Sequence, residues 1–146
     1  MRIFGAVSTA VSGCLLVALT NAAEPAPRYE LQADTARDVR TGLTWQRAAS
    51  PDTFTWSAAA LHCGDLELSG QNDWRVPTMK ELQTIVDESH VGPAVDPAVF
   101  PDTPALPYWT SSPWAATPNL AWYVHFQHGS GLYELVTKEF RVRCVR

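Results

Sequence analysis

Arg141 and Arg143 stand two residues apart in the stretch Phe140–Val145, where basic and apolar residues alternate. In an extended segment that spacing puts both guanidiniums on one face and Phe140, Val142 and Cys144 on the other. Tyr123 and His125 repeat the pattern in 121–126, opposite Trp122, Val124 and Phe126. Side by side, the two segments would gather two guanidiniums, an imidazole and a phenol on one surface. Such a set suits sulfate or carboxylate, through charge-assisted hydrogen bonds. Trp114, between Pro113 and Ala115, would add an apolar ring face of the kind that packs on sugar C–H groups. Trp114, Tyr123, His125, Arg141 and Arg143 are therefore the candidate ligand-binding set. The competing reading is a solvated strand face balanced by Glu134 and Glu139, with the tryptophans structural.

Reaction chemistry is harder to assemble. The histidines are His62, His90, His125 and His128, and the carboxylates are scattered. No Gly-x-Ser-x-Gly elbow, HExxH or compact His/Cys cluster occurs. Paired carboxylates for glycoside hydrolysis would have to come from separate loops. A non-enzymatic protein without cofactor or metal is the expectation. The net charge of −4, from 15 acidic and 11 basic residues, disfavours nucleic acid as a partner, so any anion site must be local.

Residues 1–23 read as a secretory signal peptide. Arg2 precedes an uncharged apolar run from Ile3 to Leu19, and small residues Thr20–Ala23 follow. That run is shorter than the usual span of about 20 residues, so no stable transmembrane span is expected after processing; an uncleaved anchor is the alternative. Val11-Ser12-Gly13-Cys14 resembles a lipoprotein box, but the apolar run continues past Cys14, and an unlipidated product beginning near Ala23 or Glu24 is expected. The mature domain is then 24–146, secreted or periplasmic. It keeps two cysteines, Cys63 and Cys144, which in an oxidising compartment suggest one disulfide, two free thiols being the alternative.

The elements that would position these groups follow from periodicity. Arg28–Ala33 reads as a strand, Asp38–Gly42 as a turn, and Leu43 with Trp45 as a second strand. Trp56, Ala59, Ala60, Cys63 and Leu66 fall at helical spacing behind Thr55, so a helix over 56–66 buries Cys63. Thr78 and Glu81 form a capping-box pair opening a helix over 79–88. Seven of the eleven prolines lie in 90–118, which predicts an ordered irregular loop carrying one short strand near Tyr108–Ser112. Strands at 121–126, 132–136 and 140–145 complete an α+β domain: two helices against a twisted, mostly antiparallel sheet. Cys63 and Cys144 both point inward by separate periodicities, which favours their pairing. Asp73, Trp74 and Arg75 read as a buried ring with charges that hold the turn and helix start, or else as a recognition patch.

The ordered motifs Thr41-Gly42-Leu43-Thr44-Trp45-Gln46-Arg47, Thr55-Trp56-Ser57-Ala58-Ala59, Asp73-Trp74-Arg75-Val76-Pro77-Thr78, Tyr108-Trp109-Thr110-Ser111-Ser112, Ala121-Trp122-Tyr123-Val124 and Arg143-Cys144-Val145-Arg146 resemble those of the Lcl C-terminal domain family of bacterial envelope and secreted proteins. The resemblance implies a C-type-lectin-like α+β fold. It also implies an adhesin-like module recognising sulfated polysaccharide, with a structural or protein-partner-binding role in the envelope as the alternative. Neither a Glu-Pro-Asn nor a Gln-Pro-Asp triplet is present, so a calcium-held sugar site is not expected.

Overall fold

The computed structural model describes residues 26–146; the signal peptide expected over residues 1–23, Cys14 included, lies outside the described residues. The fold is α+β. Strands β1 (Tyr29–Leu31), β2 (Thr35–Asp38) and β3 (Thr44–Gln46) form one antiparallel sheet in that order, and β4 (Pro107–Pro113), β5 (Leu120–His125) and β6 (Ser130–Leu135) form a second. Helices α1 (Trp56–Gly64) and α2 (Met79–Gln83) lie between the sheets in chain order. The first strand is shorter than expected, and only Tyr29 of its alternating set is half-buried, Leu31 and Ala33 being exposed. Strand β2 was not expected. Its one core side chain is Ala36, and it also buries Asp38, whose carboxylate takes hydrogen bonds from Arg28 at 2.7 and 3.2 Å. An ion pair replaces apolar alternation there. Gly42, at φ +76°, closes the turn into β3.

The extended segment 140–145 ties the two sheets together. Val145 bridges both Trp45 and Arg75 in antiparallel fashion, Arg141 bridges Tyr108 in parallel, and Phe140 bridges Phe54. On one side of this segment, Val142 and Cys144 join a cluster with Ala59, Cys63, Trp74, Val76, Trp109 and Ala121. On the other side, Val145 joins Ala36, Trp45, Leu82, Val95, Phe100, Tyr108, Val124 and Phe126. The segment therefore runs between two apolar clusters. Cys63 and Cys144 are bonded, joining α1 to it.

Both helices are shorter than their periodicity suggests. In α1, Ala59 and Cys63 are buried but Ala60 is exposed. Thr55 takes the N-cap position without a side-chain cap bond; instead the Val136 carbonyl accepts from the Trp56 N–H at 3.1 Å. Helix α2 has the expected capping box from Thr78 and Glu81 and ends at Gln83 rather than 88. The Thr84 hydroxyl donates back to the Glu81 carbonyl at 2.7 Å. Beyond it, the Asp87 N–H leaves the helical path for the Ala94 carbonyl at 3.0 Å. The proline-rich stretch is irregular but built in: Ala94, Val95, Val99 and Phe100 are buried, and the Ala94 N–H donates to Phe126 at 2.7 Å.

Candidate functional site

Arg141 and Arg143 do share a face, but that face looks inward. Arg143 is 0 % exposed. Its Nη1 donates to the Gln46 carbonyl at 2.6 Å and to the Arg47 carbonyl; its Nη2 donates to Thr103 Oγ1 at 2.7 Å. The guanidinium lies 4.7 Å over the Phe100 ring. Burial pushes its pKa down to about 10, against the pull of Tyr108, so it stays charged at neutral pH. Arg141 is half-buried and donates to the Ser50 carbonyl at 3.1 Å. The expected solvated arginine face is thus corrected: a segment with apolar clusters on both sides has no wet face to offer.

The expected neighbourhood of the two segments fails as well. Segment 140–145 pairs with β4, while β5 lies between β4 and β6. Tyr123 pairs with Trp109 in register and packs its ring 4.7 Å from Phe140, so it points to the side away from the arginines; burial raises its pKa. His125 ends β5, where Nδ1 accepts from the Gln127 N–H at 3.2 Å. It borders a shallow recess of about 220 Å³ with Gln127, His128, Ser130 and Leu132. Of the five candidate residues, only Trp114, itself half-buried, belongs to an aromatic cluster that includes a strongly exposed ring, Tyr133.

Trp114 follows β4, and its N–H donates to the Leu120 carbonyl at 2.9 Å. Its ring stacks on Tyr133 with centroids 4.2 Å apart and planes 28° apart. It also lies 4.9 Å from Trp122. Trp122 and Tyr133 sit opposite each other in the β5–β6 register, as do Leu120 and Leu135. Tyr133 and Leu135 are 48 % and 40 % exposed. The result is an aromatic patch on one sheet face, with Trp114 as its centre. Trp122 shares its side of β5 with the fully buried Val124 but is itself only half-buried. Tyr133 was missed, although Gly131, Tyr133 and Leu135 alternate along β6.

Helix α2 forms the border of this patch. Val124 faces Gly131 across the pair, and a Cβ at Gly131 would collide with Met79 and come within 3.4 Å of Gln83 Nε2. The glycine lets α2 lie against the sheet. The Met79 N–H donates to Ser112 Oγ at 3.0 Å, just ahead of Trp114. Arg75 holds Glu81 through two bonds of 2.8 Å. Arg75 and the Thr78 cap carry the Glu81 pKa down to about 2 against burial. The Asp73–Arg75 motif is thereby structural: Arg75 goes to Glu81, and Asp73 accepts from Arg146 at 2.6 Å.

The other features hold less chemistry. A recess of about 690 Å³ between β1 and residues 85–99 is lined by Arg28, Tyr29, Asp87 and Asp96, but Arg28 is committed to Asp38 and to the Thr84 carbonyl. Among the described residues, no group of three His, Cys, Asp or Glu side chains could hold a metal ion, and no helix is long and apolar enough to cross a membrane. A family model described as the Lcl C-terminal domain matches residues 34–146. No curated protein matches the chain.

Proposed function

We propose, from the premise that this chain belongs to the Lcl C-terminal domain family, that it is an exported binding module that lays polysaccharide on Trp114, Trp122 and Tyr133. One observation carries the reading: Trp114 is wedged between Trp122 and Tyr133 on an otherwise open sheet face. Aromatic ring faces match the apolar C–H faces of sugars, and the Gln83 amide at the border supplies a donor and an acceptor for hydroxyls. Export is supported by the Cys63–Cys144 bond, since such bonds persist in oxidising compartments. Family membership also supports reading the α+β fold as C-type-lectin-like and the module as adhesin-like.

The sulfate clamp expected of Arg141 and Arg143 drops out, because their guanidiniums are committed to carbonyls and Thr103. Among the described residues, Lys80, next to Met79 on α2, and Lys138, just past β6, are both exposed and make no side-chain hydrogen bond or ion pair; they are cations available to an anionic sugar. A polysaccharide array probed at low and high salt, with wild type and Trp114→Ala/Tyr133→Ala, tests the reading. The double variant should lose at least about tenfold in affinity, as for one or two aromatic contacts. A folded double variant binding every glycan like wild type would overturn it. A second reading, an envelope protein as partner, is favoured by the exposed Leu132 and Leu135 on β6, at the edge of its sheet. Silence on the whole array together with tight binding of an envelope protein would select it.

A further inference from the structure

Strand β6 is the last of its sheet, in the order β4, β5, β6. The outer edge of β4 is covered where Tyr108 bridges Arg141, and among the described residues no bridge covers β6. The hydrogen bonds of β5 show which backbone groups of β6 are open. The Leu120 carbonyl accepts from the Trp114 N–H at 2.9 Å and the Leu120 N–H donates to Thr117 at 3.1 Å, so Leu120 makes no bond to Leu135, its register partner. The Trp122 carbonyl accepts from Thr110 Oγ1 at 2.8 Å, away from Tyr133. Bonded and non-bonded pairs alternate along an antiparallel ladder. Gly131, Tyr133 and Leu135 therefore aim their backbone groups outward. Leu135 is already served, its N–H by the Glu134 carboxylate at 2.8 Å and its carbonyl by the Lys138 N–H at 2.9 Å. The N–H and C=O groups of Gly131 and Tyr133 remain.

We propose that this edge pairs with β6 of a second copy of the chain, antiparallel about a two-fold axis at Leu132. In that register Gly131 faces the partner's Tyr133, and Tyr133 the partner's Gly131. Each pair exchanges its two N–H···O bonds, so every open group on both copies is met. A shift of two residues either way sets an open residue against Leu135, or against Gly129, whose N–H already donates to His125 at 3.0 Å. The side chains agree with the backbone. Leu132, 46 % exposed, meets its twin across the axis as a non-bonded pair, where side chains come closest. Ser130 comes opposite the partner's Glu134, a hydroxyl donor against a carboxylate. The partner's Tyr133 comes beside Gly131, and so beside Met79 and Gln83, which lie over that glycine; thioether sulfur and aromatic edges attract. The strand also lacks the usual deterrents to edge pairing: it has no Lys, no Pro and no break in its register with β5. The pairing stands independently of what the aromatic patch binds.

Sedimentation equilibrium of the intact protein should show monomer and dimer with no larger species, since a two-fold contact closes on itself. Leu132→Lys sets like charges across the axis at an exposed position, so it should fold, and its dimer dissociation constant should rise at least about tenfold. Two cysteine variants read the register. Across a non-bonded pair the Cα atoms stand about 4.5 Å apart, within disulfide reach, whereas Ser130 and its twin would be about 14 Å apart along the strands. Leu132→Cys should therefore oxidise in air to a reducible dimer, and Ser130→Cys should run as a monomer on non-reducing gels. A wild type that stays monomeric up to about 1 mM would overturn the proposal, as it would if the edge served only a different protein. So would a Leu132→Lys dimer as tight as wild type, or equal cross-linking by the two cysteine variants.

Discussion

The two ends of one sheet face meet opposite fates. At the β4 end, Tyr108 continues into Arg141 and Arg143 of the bridged segment, and there two guanidiniums lie under loop carbonyls, Phe100 and Thr103. At the β6 end, the same face carries Trp122, Tyr133 and Leu135, and there the rings meet solvent. Polarity does not sort these residues. Cover does: residues 46–50 and 99–103 close over the first end, while α2 reaches only as far as Gly131 on the second. Hydrogen bonds to carbonyls let the covered end keep charge inside. The bare end has no layer to hide its aromatics, and an exposed aromatic patch is the usual mark of a surface that meets something.

Loosening the covered end should have the largest effect. Replacing both Cys63 and Cys144 by Ser frees a loop whose ends are 81 residues apart and should cost about 4–5 kcal/mol by chain entropy, read from urea unfolding. Arg143→Met should cost about 2–4 kcal/mol, because the Gln46 and Arg47 carbonyls and Thr103 lose a buried donor, whereas Arg141→Met should cost about 1 kcal/mol or less for its single carbonyl bond. Equal losses for the two arginines would show that depth of cover, complete at Arg143 and partial at Arg141, does not set the cost within the covered end. Trp114→Ala should cost about 1 kcal/mol of stability, as befits a half-buried ring at the surface, yet weaken glycan binding severalfold; a cost above that of Arg143→Met would make the patch a piece of core.

The smallest effect concerns the border between the two ends. The Glu81 carboxyl, ordinarily at 4.5, is held at about 2 by Arg75. Because the folded pKa is the lower one, the stability it contributes is complete above about pH 4.5 and fades as pH falls toward 2. Melts of wild type and Glu81→Gln should converge over that window, and parallel curves would remove Glu81 from the account of how α2 is held.

Much of this was legible in the residues. Alternation found the shared faces of 140–145 correctly, and helical spacing put Cys63 inward, so the disulfide could be read. What alternation lacks is any sign of which face is wet, since it reports period and not layer. Arg143 illustrates this: its partners are backbone carbonyls 96 and 97 residues earlier, and carbonyls leave no trace in a sequence. Strand β2 was hidden for a related reason, because Asp38 takes an inward place through Arg28. The aromatic patch was half legible. Trp114 stood out by its proline-flanked position, but Tyr133 became visible only when the β5–β6 register placed it opposite Trp122.

The segment that separates the two apolar clusters is also the last of these elements to be made. A chain synthesised from its N-terminus exposes β1 to β6 and both helices before Val142, Cys144 and Val145 have emerged. Until then Trp45 and Arg75 lack their common strand partner, and Cys63 lacks its sulfur. Neither cluster is complete until residues 140–145 have emerged. Pairings across so long a sequence separation form late and slowly. Export through a narrow translocation channel, as proposed above, would gain from that delay: the order of the elements keeps the domain threadable until residues 140–145 arrive.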